Sequence, residues 1–277
     1  MNVDSMISRK LPIGIQSFEK LRTEGYLYVD KTELVYRLVK LGKPYFLSRP
    51  RRFGKSLLLS TLEAYFLGKK ELFEGLAIGE LEQDWFTYPV LHLDLNAEKY
   101  DSKERLVNFL ESQLQSWEST YGVTEINRSC SIRFMTVIRR AYEQTGRRVV
   151  VLIDEYDKPM LRSFDNPELQ YDFRETLTAF YSVLKSADAY LQFVFITGVT
   201  KFAQMGIFSN LNQLQDISLH PAYTTLCGMT RAEIEAVFAP ELQSLACANG
   251  LTYEETMEKL TRRYDGYHFN YRNWEGM

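Results

Sequence analysis

Arg49-Pro50-Arg51-Arg52-Phe53-Gly54-Lys55-Ser56 stands between the short apolar run Tyr45-Phe46-Leu47 and the apolar helix start Leu57-Leu58-Leu59. A loop that cradles phosphates needs backbone amides aimed at the anion and a lysine that reaches the β and γ phosphates. It also needs a hydroxyl for Mg²⁺ at the start of a helix whose dipole favours negative charge. Gly54, Lys55 and Ser56 supply that ending. The setting agrees, because 45–48 reads as a buried strand and 56–66 as a helix with apolar residues at Leu58, Leu59, Leu62 and Phe66. The pattern GxxxxGK[ST] also asks for glycine five residues before Gly54, where this chain has Arg49. The stretch therefore predicts a nucleotide-binding loop that departs from the strict pattern at its first position. Phosphate contacts are expected from Arg49, Arg51, Arg52, Phe53, Gly54, Lys55, Ser56 and Leu57.

Downstream, Val149-Val150-Val151-Leu152-Ile153 runs straight into Asp154-Glu155. Consecutive branched aliphatics read as a strand covered on both faces, as at the centre of a parallel sheet, and open α/β sheets place ligands at the carboxyl ends of their strands. Beside a phosphate loop, Asp154 is expected to hold Mg²⁺ together with Ser56, and Glu155 to orient or deprotonate the attacking water. Taken alone, the two acids could equally cap the next helix or face solvent. A further buried run, 191–196, ends in Thr197-Gly198. Thr197 at the tip of a neighbouring strand is placed to bond the γ phosphate or the water; the alternative is a threonine capping a turn before Gly198.

The 33 basic and 36 acidic side chains leave a net charge of −3, a balance that demands neither nucleic acid nor an acidic surface as partner. Cys130, Cys227 and Cys247 form no CxxC pair and no even disulfide set, and His92, His220 and His268 lack companions at zinc-ligand spacing. Mg²⁺ is the metal expected. The start of the chain lacks an apolar signal region and no stretch approaches a membrane span, so a soluble cytoplasmic protein is expected.

Strands at 45–48, 90–95, 149–154, 192–197 and 216–219 alternate with helices at 56–66, 102–120, 132–145 and 167–187, the signature of a mainly parallel five-stranded sheet flanked by helices. After the fifth strand the pattern changes to short helices at 230–238 and 252–264, the first opened by a capping box of Thr230 with Glu233. The expected division is an ATPase core over 1–221, with an adenine-side segment over 1–43, and a small helical lid over 222–277. The aromatic, turn-rich tail Tyr264-Asp265-Gly266-Tyr267-His268-Phe269 hints at a protein partner or a missing carboxyl-terminal domain that packs there.

Several stretches together resemble the predicted AAA-ATPase-like family of bacterial and archaeal proteins. They are FEKL from Phe18, YVDKT from Tyr28, RPRRFGKS from Arg49, LIDEYDKP from Leu152, ITGVTKF from Ile196 and YDGYHF from Tyr264. In that family the loop reads RPRRFGK[ST], so the resemblance implies that Arg49 is a family trait. It further implies a P-loop ATPase core of the AAA/ASCE type that uses ATP and Mg²⁺. Lys55 and Ser56 match the Walker A ending, Asp154 and Glu155 match the Walker B acids, and Thr197 stands where AAA-type ATPases carry sensor 1. Many members continue into a PD-(D/E)XK-type nuclease domain; this chain stops at Met277, which marks it as a fragment or a short member and leaves nuclease activity behind.

Two placements stay open on the residues alone. Tyr28, with a backbone contact from Gly14 or Ile15, suits adenine, or else Tyr28 is a core aromatic and Asp30 a cap for the helix that follows. The guanidinium groups of Arg49, Arg51 and Arg52 suit bidentate phosphate contact, or else pairing with acids such as Asp157, or solvent. Three functions compete: an Mg²⁺-dependent ATPase, a nucleotide-dependent switch with little turnover, and the ATPase part of a nucleic-acid-processing protein. A GTPase fits less well, because Thr200-Lys201-Phe202-Ala203 lacks the aspartate of a guanine-reading segment.

Overall fold

The computed structural model describes residues 9–42, 44–124, 128–201, 207, 211, 213–264, 266, 267 and 269. Among them lie five strands in one sheet, β1 (Pro44–Ser48), β2 (Val90–Asp94), β3 (Val149–Asp154), β4 (Leu191–Gly198) and β5 (Gln215–Asp216), in the order β2-β3-β4-β1-β5. Every pairing is parallel. The register sets Ser48 beside Gly198 and Asp94 beside Asp154. Because β4 lies between β1 and β3, Thr197 falls between the loop after β1 and the acids after β3.

All six residues of β3 are buried, as the aliphatic run requires. Successive side chains of a strand leave on opposite faces. Val149, Val151 and Ile153 accordingly enter one core with Leu110, Leu114, Phe134, Val137, Phe173 and Phe180, on helices α5 (Lys103–Thr120), α6 (Cys130–Thr145) and α8 (Pro167–Ser186). Phe134 and Phe180 stack at 4.5 Å and 4°. Val150 and Leu152 enter a second core with Phe18, Val35, Leu38, Leu59, Leu62 and Phe66, on α1 (Phe18–Thr23), α2 (Thr32–Leu41) and α3 (Lys55–Phe66). Each such buried side chain contributes about 1.5–3 kcal/mol of transfer free energy. Arg133 donates to both carboxylate oxygens of Glu118 at 2.8 and 2.7 Å, fastening α6 to α5 through a buried, charge-assisted pair.

Three short helices, α1, α4 (Ala77–Leu81) and α7 (Lys158–Arg162), are too brief to leave a periodic signature in the sequence. The fifth strand is shorter than expected. Its ladder stops at Asp216 because that carboxylate takes the Ser218 amide at 2.8 Å, while the Ser218 hydroxyl takes the Ser48 amide at 2.8 Å. A side chain there replaces a backbone acceptor. Two further helices follow, α9 (Arg231–Ala248) and α10 (Tyr253–Tyr264). The Thr230 and Glu233 capping box is present, and the backbone leaves helical geometry at Phe238 (φ −108°, ψ 18°), where the first short helix was expected to end; a second helical stretch, with Pro240 near its start, completes α9 to Ala248.

Candidate functional site

The loop after β1 is built on two left-handed residues, Arg52 (φ 68°) and Gly54 (φ 89°). Glycine adopts that conformation freely, whereas arginine pays for it, so the surroundings must hold Arg52 in place. Gly54 ends the loop and α3 begins at Lys55. The Lys55 side chain is 4% exposed and folds back over the loop, donating to the Arg49 and Pro50 carbonyls at 3.1 and 3.3 Å. Its ammonium also lies 3.3 Å from Glu155 Oε1. In the first turn of α3, next to Lys55, the Ser56 hydroxyl donates to Asp154 Oδ2 at 2.5 Å.

Asp154, 3% exposed, accepts two more bonds at Oδ1, from the Thr197 hydroxyl and from the Glu155 amide at 3.0 Å. Lys55, Ser56, Asp154, Glu155 and Thr197, drawn from three separate parts of the chain, thus form one connected cluster. Its hydroxyl and carboxylate oxygens are hard donors of the kind Mg²⁺ takes, and no group of three His, Cys, Asp or Glu side chains gathers among the described residues. That donor set suits a cation held by one or two protein oxygens with the rest of its shell from phosphate and water.

The backbone at Glu155 is left-handed (φ 53°), which turns its side chain toward Lys55. The next two residues staple this turn to the tip of β4. The Tyr156 amide donates to the Thr197 carbonyl at 3.0 Å, and Asp157 Oδ2 accepts the Val199 and Thr200 amides at 3.0 and 2.7 Å and the Thr200 hydroxyl. Gly198 is required between them, since a Cβ there would stand 2.4 Å from the Tyr156 ring. Sequence reasoning assigned neither Tyr156 nor Gly198 a part, because the contact joins residues far apart in the chain.

The loop arginines separate. Arg49 is 1% exposed, and its guanidinium donates to the carbonyls of Ser48 (2.9 Å), Ser218 (2.6 Å) and Tyr223 (3.3 Å). Burial lowers its pKa, and the nearby Cys227 and Asp216 work against that. Arg49 is therefore a strut between the loop and the segment after β5, where phosphate contact was expected. Pairing with Asp157 is not seen either, as that carboxylate serves Val199 and Thr200. Arg51 and Arg52 are exposed, Phe53 and Leu57 are half-buried, and Leu57 packs against the second core. Tyr28 is half-buried at the edge of the second core and meets Phe18 edge-on at 5.5 Å, while Asp30 Oδ1 accepts the Thr32 amide at 2.8 Å from just outside the Lys31 N-cap.

The segment after β5 reaches the loop, and α9 the amino-terminal segment. The Gly228 amide donates to the Phe53 carbonyl at 3.1 Å. Cys227 is buried so that its thiol is pushed up to about 11, against the opposing pull of Arg49, Lys55 and Lys31. Lys31 pairs with Glu233 and Arg9 with Glu241, tying the amino-terminal segment to α9. Two rings of the tail lie on the loop: Phe53 is flanked by Tyr267 and Phe269 at 4.7 and 5.6 Å, and the Phe269 ring covers the Arg49 guanidinium at 4.0 Å. His92 on β2 lies 2.9 Å from Glu63 on α3. Burial lowers the His92 pKa, but the hydrogen bond and the charges of Glu63, Asp154 and Asp94 outweigh it, for a net rise. Among the described residues no helix is long and apolar enough to cross a membrane.

The family model described as AAA-ATPase_like, predicted AAA-ATPase, matches residues 12–208. A curated relative from Azotobacter chroococcum mcd 1, "Uncharacterized protein in vnfD 5'region", is 41% identical over 273 residues, covering 98% of this chain and 50% of the relative. The chain thus spans about half the length of that relative. No solved structure matches.

Proposed function

Because the chain belongs to the predicted AAA-ATPase-like family, we propose that it binds ATP with Mg²⁺ in the loop over 49–57 and hydrolyses it. The observation that carries this reading is the cluster of Ser56 and Thr197 on Asp154 beside the Lys55 and Glu155 pair. The order β2-β3-β4-β1-β5, with the Thr197 strand between the loop strand and the acid strand, supports an AAA/ASCE core over 1–221. The paired helices α9 and α10 support a lid over 222–277.

The loop amides and Lys55 bind the phosphates, and the exposed Arg51 and Arg52 add charge at the loop's rim. Ser56 and Asp154 would hold Mg²⁺, which would supply positive charge to offset that of the phosphates. Lys55 leaves Glu155 as it turns to the phosphates, freeing the carboxylate. Glu155 then orients the water and accepts its proton, and Thr197 bonds the γ phosphate or that water. Phosphate release should be measurable in the isolated chain and fall at least tenfold in Glu155→Gln, which should keep ATP binding, a contrast in the range such residues command. Equal release by wild type, Lys55→Ala and Glu155→Gln would sink the enzymatic reading.

The same Lys55 and Glu155 pair favours a second reading, a nucleotide-dependent switch. While Lys55 neutralises Glu155, water activation is withheld, and binding without multiple turnover would then be the resting behaviour. Tight ATP binding with no phosphate release would select this reading over the first.

A further inference from the structure

We propose that Tyr267 and Phe269 form a docking element for the phosphate loop, so that nucleotide occupancy of the loop and docking of the tail strengthen one another. The inference rests on the nucleotide-binding reading above and adds to it a route by which the bound state is passed to the carboxyl-terminal helices.

Phe53 lies between the two left-handed residues of the loop, Arg52 and Gly54. Whatever fixes Phe53 therefore fixes the turn that aims the loop amides. Its ring meets Tyr267 edge-on at 4.7 Å and 73°, and Phe269 edge-on at 5.6 Å and 85°. The two tail rings are themselves near-parallel at 6.2 Å and 13°. Phe269 also covers Arg49, the strut at the opposite end of the loop, at 4.0 Å. Opposite the tail, the Gly228 amide holds the Phe53 carbonyl, and a Cβ at Gly228 would come within 3.3 Å of the Phe53 ring. The loop is thus gripped at both ends by one short aromatic segment.

Edge-to-face aromatic pairs and an arginine over an aromatic face are favourable contacts of modest size. Tyr267 keeps 54% of its surface exposed, so the contact lies at the surface and outside the two buried cores. The tail directly follows α10, which ends at Tyr264. A nucleotide that favours the ordered loop favours the docked tail, and by linkage the docked tail favours the nucleotide by the same factor.

The test is made on the full chain with Mg²⁺ and the slowly hydrolysed analogue ATPγS. Calorimetric titration should show affinity weakened roughly tenfold in the Tyr267→Ala/Phe269→Ala double variant, a coupling in the usual range. Phe53→Leu should weaken affinity in the same direction from the loop side. Hydrogen exchange of a peptide over 264–270 should slow on adding the analogue to wild type, and should not change in the double variant or in Lys55→Ala. Wild-type binding with affinity unchanged in both tail and loop variants, or tail exchange indifferent to nucleotide, would overturn the proposal while leaving nucleotide binding intact. Absence of binding by wild type would overturn both.

Discussion

Gly198→Ala tests whether the turn carrying the acids is held by the tip of β4. A Cβ at position 198 would stand 2.4 Å from two atoms of the Tyr156 ring and 2.8 Å from Asp157 Oδ1. The ring is thus about 1 Å short of ordinary van der Waals contact. It has little room to retreat, since Tyr156 is fully buried and meets Phe46 edge-on at 5.4 Å. Strain of this kind costs about 1–3 kcal/mol. Relief has to come from the turn over 154–157, carrying Glu155 away from Lys55 and Asp154 away from Ser56. Misplacement of reacting groups by about 1 Å costs roughly 100-fold in rate. Urea unfolding with an unchanged slope should show the loss of stability, and ATP turnover the larger loss. Tyr156→Leu in the same chain should restore part of both by making room. A Gly198→Ala protein as stable and as active as wild type would refute the claim that the β4 tip positions the acids.

Two other perturbations have definite expectations. Arg49→Ala leaves three carbonyls, those of Ser48, Ser218 and Tyr223, without their charged donor and should cost about 2–4 kcal/mol in urea unfolding; a change under about 0.5 kcal/mol, within the range of ordinary surface substitutions, would show that the strut is idle. His92 has its pKa raised in the folded chain by Glu63 against the effect of burial, so its charge adds stability that is full below the ordinary value near 6.5 and is lost as pH rises through the raised one; unfolding measured between about pH 6 and pH 8 should therefore lose this contribution in wild type and lack it in His92→Gln, and identical pH profiles would contradict the assignment.

The sheet could be read from sequence because a doubly covered parallel strand needs an unbroken aliphatic run, and 149–153 is such a run. The loop could be read because Gly54, Lys55 and Ser56 are neighbours in the chain. What escaped depends on contacts between distant residues. Arg49 reads as a phosphate ligand until its guanidinium is found on the carbonyls of Ser218 and Tyr223. The contact of Tyr267 and Phe269 with Phe53 joins the tail to a loop far earlier in the chain, a pairing no local pattern announces. Gly198 and Tyr156 are unremarkable letters whose meaning comes only from their collision distance. The end of β5 turned on one serine hydroxyl replacing a backbone acceptor, which local propensity does not encode.

The central claim is that Lys55, Ser56 and Asp154 together form a nucleotide site. Calorimetric titration of the purified chain with ATPγS and Mg²⁺, in parallel with Lys55→Ala and Asp154→Asn, tests it most directly. Saturable binding of one nucleotide per chain is expected in wild type, weakened at least tenfold in Lys55→Ala, with the benefit of added Mg²⁺ lost in Asp154→Asn. No binding by wild type, or equal binding by all three proteins, would contradict it.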